Sequence, residues 1–134
     1  MQKLSYSLAH LSLFIVFFWF GAVKLTGLSP ANDLVRELLV IIPVMNLWPF
    51  ESFIIFLGLV EMLIAILFLF PKTTKFAIMI LIHHMITTML PLIFLPNLTW
   101  QAPMILTLAG QYIVKNIIVV ALALSVVVAQ QNKI

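Results

Sequence analysis

The sequence contains no cysteine and very little charge. Without cysteine, the chain has no disulfide, thiolate metal site, iron–sulfur ligand or CxxC redox pair of its own. Only 8% of its residues are charged, whereas about 25% is usual for soluble domains. Because 64% of the residues are hydrophobic, the charged side chains are too few to cover a globular surface. The chain therefore needs lipid as a solvent.

The sequence also lacks the motifs of common soluble enzymes and of nucleic-acid-binding proteins. It contains no glycine-rich phosphate loop, nucleophile elbow or HExxH pattern. Its seven basic residues are scattered and form no basic run, which argues against nucleic acid as a partner. We expect the lipid bilayer as a partner and no metal site, and an enzyme acting alone on a soluble substrate is the least favoured class.

Four hydrophobic runs are long enough to cross a bilayer, which takes roughly 20 residues as a helix. They cover about residues 5–23, 50–70, 75–95 and 104–129. A short polar segment, residues 71–75, joins the second and third spans and predicts an antiparallel helical hairpin. The prolines of segment 95–103 end the third span. This pattern predicts an all-α protein in which residues 1–134 form a single domain, an integral membrane four-helix bundle.

The segment between the first two spans has the pattern of an amphipathic helix. Ser29-Pro30 is typical of a helix N-cap followed by proline at the first helical position, and Pro43 ends the pattern. Between them the charged residues fall on one side and the apolar residues on the other. Such a helix is suited to the membrane interface. A helix packed over the bundle fits the pattern equally well.

The basic residues outside the membrane predict an orientation. Lysines cluster in cytoplasmic segments of membrane proteins. With both termini cytoplasmic, four lysines lie inside and two basic residues lie outside. The inside set is Lys3, Lys72, Lys75 and Lys133, and the outside set is Lys24 and Arg36.

Ionisable residues also occur within the spans, where they are costly and mark a functional site by default. Glu61 lies near the middle of the second span, His83 and His84 near the middle of the third, and Lys115 near the middle of the fourth. At about 1.5 Å of rise per residue, Glu61, His84 and Lys115 reach a similar depth. Packed helices can therefore bring them together.

Further polar residues follow helical spacing around these positions. Gln111 and Tyr112 lie one turn before Lys115 and Asn116 and extend a polar face on the fourth span. Lys24 lies near the end of the first span, from which its side chain can snorkel to the interface. Pro91 is expected to bend the third span beside the histidines. The candidates for ligand binding or proton relay are Lys24, Glu61, His83, His84, Gln111, Tyr112, Lys115 and Asn116.

The same residues fit a structural role and argue against a haem site. Glu61 and Lys115 can form a purely structural ion pair, because charges in hydrocarbon need partners whatever the function. Haem is disfavoured, because His83 and His84 point about 100° apart around the helix axis. His10 is closer to the inner face, so its depth matches poorly with theirs for axial ligation.

Three short elements resemble the DoxX-like membrane protein superfamily, including its YkgB-like branch. Residues 17–25 contain a Gly-x-x-Lys element ending at Lys24, and residues 58–61 a Gly-x-x-Glu element ending at Glu61. Residues 110–116 are similar to the charged final helix of the YkgB-like branch. The resemblance implies a four-helix bundle in a bacterial inner membrane. For some members it also implies association with thiosulfate:quinone oxidoreduction or quinone-linked respiration.

Three functions follow as hypotheses. The first is a small component of a quinone-linked redox system, in which Glu61, His84 and Lys115 bind a quinone carbonyl or relay its protons while a partner carries the electrons. The second is a structural or assembly subunit of a larger membrane complex. The third is a small proton-coupled transporter, whose four helices need to oligomerise to form a pathway. Each hypothesis requires a protein partner or a further copy of the chain.

Overall fold

The computed structural model describes residues 1–132 and contains four long apolar helices. They are α1 (Gln2–Leu25), α3 (Phe50–Leu69), α4 (Thr74–Met89) and α7 (Leu108–Gln131). Each lies in a span long and apolar enough to cross a membrane. The predicted all-α four-helix membrane bundle is confirmed. Lys133, which entered the orientation argument, lies outside the described residues.

The four helices pack as a ring in the order α1, α3, α4 and α7, and α7 closes against α1. The largest interface is between α1 and α3. The core between them is apolar and includes Leu13, Phe17, Ile64, Phe68 and Leu81. Only 17% to 33% of the most apolar window of each span is buried. The remaining apolar surface faces outward, which is the arrangement that a lipid solvent favours.

Helix α2 (Asn32–Ile41) lies between the first two spans and packs against α3 and against a short helix, α5 (Pro91–Phe94). Its apolar side buries Leu38 and Leu39, and its charged side remains exposed. The predicted start at Ser29-Pro30 is two residues early. Ser29 instead closes a turn, in which its carbonyl accepts from the amide of Asn32 and its hydroxyl accepts from the amide of Ala31.

The two ends of the bundle differ. One end, hereafter the α2 end, carries α2, α5, a second short helix α6 (Pro96–Thr99) and a small hairpin of β1 (Trp100–Ala102) and β2 (Ile105–Leu106). The opposite end, hereafter the turn end, carries the single 3-10 turn Pro71–Thr73 between α3 and α4. The α2 end is therefore the more elaborate one.

The helical ladder of the third span is interrupted just before Pro91. Helix α4 ends at Met89, and the amide of Leu90 bonds the carbonyl of Thr87 instead of continuing the α-helical ladder. Pro91 then starts α5. Proline has no amide hydrogen and its ring clashes with the preceding turn, so the break falls where the sequence predicts it.

The fourth helix begins later than predicted. The apolar run from residue 104 was expected to be helical, but Ile105 and Leu106 pair with β1 and the helix starts at Leu108. The hydroxyl of Thr107 caps it by accepting from the amide of Gly110 at 3.1 Å. A short apolar strand and a helix end look alike in sequence, which explains the error of four residues.

Candidate functional site

A glycine–glycine contact between α1 and α3 creates the site. A Cβ atom added to Gly21 would lie 2.6 Å from the carbonyl oxygen of Gly58, and one added to Gly58 would lie 2.8 Å from the carbonyl oxygen of Gly21. Any larger residue would therefore push the two backbones apart. Small residues allow such close approach between membrane helices. In both helices the charged residue of the site, Lys24 or Glu61, follows its glycine by three positions, about one turn.

Lys24 and Glu61 form a buried ion pair across this contact. The Lys24 ammonium donates to both carboxylate oxygens of Glu61, at 3.0 Å to Oε1 and 2.8 Å to Oε2. The two residues are 9% and 6% exposed. The stem of Lys24 packs over Gly58, since its Cβ lies 3.0 Å from the place that a Cβ on Gly58 would occupy. The side chain therefore reaches inward along α3 instead of outward to the interface.

His84 completes a triad with Lys24 and Glu61. Its Nε2 donates to Oε1 of Glu61 at 3.0 Å, and the residue is 4% exposed. The edge of its ring faces Phe17, with the ring centroids 6.5 Å apart. Because α1, α3 and α4 each supply one member, the triad links three of the four long helices. No hydrogen-bond partner of Nδ1 of His84 is found among residues 1–132.

An apolar layer separates the triad from the turn end. It contains Leu13, Ile64, Phe68 and Leu81, all at most 2% exposed, and Phe17 at 4%. Charges buried beside such an apolar layer interact strongly. Removing one of them leaves its partner unpaired in a poor solvent for ions. The triad is thus a closed set of one cation, one anion and one imidazole.

The arrangement has a defined chemical capacity. Lysine, carboxylate and imidazole are all groups that gain and lose protons in enzymes and pumps. Glu61 is the central member because it accepts from both other side chains. A proton that reaches His84 at Nδ1 has a hydrogen-bonded route through the ring to the carboxylate. The same bonds also hold three helices in register.

The other predicted site residues lie outside the triad. Lys115 is exposed on α7, and its ammonium stands 5.2 Å from the ring centroid of Tyr112, which is 61% exposed. Gln111 and His83 are exposed as well. Asn116 is half-buried and donates to the hydroxyl of Thr88 at 3.3 Å. The structure therefore brings together Lys24, Glu61 and His84 and leaves the polar face of α7 on the surface.

The expected pairing of Glu61 with Lys115 is corrected by this geometry. The predicted depth of Lys115 assumes a helix from residue 104, but α7 starts at Leu108. Lys115 is therefore only seven residues into the helix, roughly 10 Å at the usual rise. Its long side chain lies on the bundle surface, while Lys24 occupies the position beside Glu61. The expectation that Lys24 snorkels outward is also wrong, because its ammonium bonds Glu61 inside the bundle.

One signal in the sequence pointed to the true pair. Gly21 and Lys24 have the same three-residue spacing as Gly58 and Glu61. In antiparallel helices that touch at their glycines, each charged residue lies about one turn from the contact, in opposite directions along the axis, and the long Lys24 side chain reaches back to Glu61. The spacing alone did not reveal which helices touch. That information comes from packing.

Comparison with known proteins does not assign the chain to a family. No protein-family model, no curated protein and no solved structure matches the chain. The DoxX-like resemblance therefore stays a prediction based on its short glycine-containing elements. Within residues 1–132, no group of three or more histidine, aspartate or glutamate side chains is arranged to hold a metal ion.

Two surface cavities lie away from the triad. One, of about 350 Å³, lies between α2 and α5–α6 and is lined by Glu37 and Asn97 among apolar residues such as Phe94. The other, of about 460 Å³, lies between the start of α1 and α7 and is lined by Leu4, Leu8 and Leu122 among others. The triad itself lines neither of them.

Proposed function

We propose that this chain is a small membrane component of a quinone-linked redox system, and that the triad of Lys24, Glu61 and His84 exchanges protons at a quinone headgroup. The observation that carries the proposal is the presence of three proton-exchanging side chains within hydrogen-bond distance inside an apolar bundle. Ionisable groups at membrane depth are rare, and they commonly serve proton relays or ligand sites.

The acceptor that the triad leaves free fits the reduced form of a quinone headgroup, whose hydroxyl groups donate. A bound quinone supplies reversible two-electron, two-proton chemistry. In the neutral imidazole, the bond from Nε2 of His84 to Glu61 leaves Nδ1 as an acceptor for a ligand hydroxyl. Glu61 stabilises positive charge on the ring when His84 takes a proton, and Lys24 holds the carboxylate in place. In this proposal a partner protein carries the electrons.

The test compares two adjacent histidines. Protein is extracted in mild detergent, and co-purifying quinones are measured by mass spectrometry for the native chain, for His84→Phe and for His83→Phe. His83 is the matched control because it is exposed and lies outside the triad. We expect quinone in the native chain and in His83→Phe, and little or none in His84→Phe. Absence of quinone from the native chain would contradict the proposal.

A second candidate function is an assembly subunit of a larger membrane complex. One observation favours it: within the triad Lys24 and Glu61 satisfy each other, and their bonds pin α1 to α3. In this case the polar core only fixes the helices. The same extraction distinguishes the two functions, because a stoichiometric protein partner without any quinone supports the assembly role.

The proposal includes a bacterial inner membrane with both ends of the chain cytoplasmic. Basic residues support this orientation, since Lys3, Lys72 and Lys75 belong to the turn end. Three of the four acidic residues belong to the α2 end, namely Asp33, Glu37 and Glu51. The buried Lys24 no longer counts as an outside charge, which strengthens the bias.

The absence of cysteine makes the orientation directly testable. Single-cysteine variants Lys72→Cys and Glu37→Cys report on the turn end and the α2 end, respectively. A membrane-impermeant thiol reagent applied to intact cells is expected to label Glu37→Cys and to spare Lys72→Cys until the cells are lysed. The reverse labelling pattern would overturn the orientation.

A further inference from the structure

Three buried polar atoms at the turn end have no hydrogen-bond partner among residues 1–132. They are Nε2 of His10, Oγ1 of Thr74 and Oε1 of Gln130. They come from α1, α4 and α7, and Thr74 is fully buried. Native proteins pair nearly all buried polar groups with protein or water, so three such atoms at one end of a bundle require an explanation.

Existing hydrogen bonds fix what two of these atoms can do. Nδ1 of His10 lies 2.5 Å from the carbonyl oxygen of Phe68. A carbonyl only accepts, so Nδ1 carries the hydrogen and Nε2 of the neutral ring is an acceptor. The side-chain amide nitrogen of Gln130 donates to the carbonyl of Pro71, which turns Oε1 away from that carbonyl. Two of the three unpaired atoms are therefore acceptors that need a donor.

The three residues gather around the connection from α3 to α4. His10 bonds Phe68 near the end of α3, and Gln130 bonds Pro71 three residues later. Three residues correspond to about one helical turn. Thr74 starts α4 directly after the turn Pro71–Thr73. All three side chains thus lie within about one turn of the same short connection.

The chemistry of this set selects its ligand. A guest must donate to Nε2 of His10 and to Oε1 of Gln130, and it can accept from the hydroxyl of Thr74. Water offers two donors and accepts as well, and buried waters typically make about three hydrogen bonds to otherwise unpaired groups. A metal cation fits poorly, because the charged residues nearest to Thr74 in the chain are Lys72 and Lys75, and no aspartate or glutamate among residues 1–132 belongs to this end.

We propose that the turn end of the bundle binds internal water through His10, Thr74 and Gln130. This site is distinct from the triad, because the apolar layer that contains Ile64 and Leu81 lies between them. His10, Thr74 and Gln130 form no direct side-chain bond with one another. Water bound between them therefore links α1, α4 and α7. The site therefore stabilises the end of the bundle that lacks an elaborate cap.

The first measurement uses the substitution Thr74→Val, which keeps the shape of the side chain and removes its hydroxyl. If the hydroxyl bonds water, the thermal midpoint in detergent is expected to fall by several degrees. If it is truly unpaired, its removal raises the midpoint or leaves it unchanged. Thr87→Val is the matched control, because that hydroxyl bonds the carbonyl of His84 within its own helix.

The second measurement detects the water itself. Solid-state NMR of the chain in lipid bilayers, with histidine labelled by nitrogen-15, reports magnetisation transfer from water to ring nitrogens. We expect transfer to Nε2 of His10, identified by comparison with His10→Phe, and a weaker transfer in Thr74→Val. Absence of transfer in the native chain overturns the water site even if Thr74→Val is destabilising, since the guest is then not exchangeable water.

Discussion

The contact between Gly21 and Gly58 is the feature on which the triad depends, and Gly21→Ala tests it. The added Cβ atom would lie 2.6 Å from the carbonyl oxygen of Gly58, 2.8 Å from the Cγ atom of Met62 and 3.0 Å from its amide nitrogen. Two of these three atoms belong to the backbone of α3, so a side-chain rotation does not relieve the contact. The helices have to move apart instead.

The size of this movement follows from the distances. Ordinary contacts of a Cβ atom begin at 3.4 Å, so the closest contact of 2.6 Å has to lengthen by roughly 0.8 Å. Lys24 and Glu61 belong to the two helices that have to separate. The distances from the Lys24 ammonium nitrogen to the two carboxylate oxygens of Glu61 are 2.8 and 3.0 Å. Overpacking of this kind typically costs about 1–3 kcal/mol, and a stretched ion pair in a dry interior adds to it. We expect a clear loss of thermal stability.

The assay is thermal unfolding in mild detergent, combined with labelling of Lys24 by an amine-reactive reagent. Gly21→Ala is expected to unfold earlier and to expose Lys24 to the reagent. Gly27→Ala is the control for the labelling, because a Cβ there meets no atom within 4 Å, and its positive φ of 75° costs about 1–2 kcal/mol of backbone strain without separating α1 from α3. We expect this variant to lose stability while Lys24 stays protected. Native stability of Gly21→Ala with Lys24 still protected would refute the role assigned to the glycine contact.

Three further outcomes follow from the structure. Glu61→Gln leaves the Lys24 ammonium buried without its counter-charge and is expected to cost about 3–5 kcal/mol in unfolding free energy. Adding Lys24→Met should recover part of this loss. Additive losses in the double variant would contradict the pairing. Gly110→Ala places a Cβ against the carbonyl oxygen of Thr99, closer than any ordinary contact, and should lower the thermal midpoint at least as much as Gly21→Ala. Lys115→Met should leave the midpoint nearly unchanged, because Lys115 is exposed, and a large drop would show a partner for it.

The sequence predicted the fold well because the hydrophobic effect acts on composition and run length. The four spans, the break at Pro91 and the amphipathic helix α2 all follow from local patterns. The start of α7 did not, because Ile105 and Leu106 are as apolar in a strand as in a helix. Local pattern therefore located the helices and mistook one boundary.

The candidate site was predicted only in part. Glu61 and His84 were identified because an ionisable residue at mid-span is rare. The role of Lys24 was missed, because its position near the end of α1 says nothing about which way a long side chain turns. That direction is decided by the close approach of Gly21 to Gly58, which is a property of two helices together.

The pairing of Lys24 with Glu61 also bears on how the chain enters its membrane. The two charges belong to α1 and α3, the first two spans of the described chain to leave the ribosome. They can neutralise each other as a hairpin before α4 and α7 are synthesised, so neither charge has to wait alone in hydrocarbon. His84 arrives with the next span, and α7 contributes no side chain to the triad. The order of synthesis therefore matches the order in which the polar core is completed.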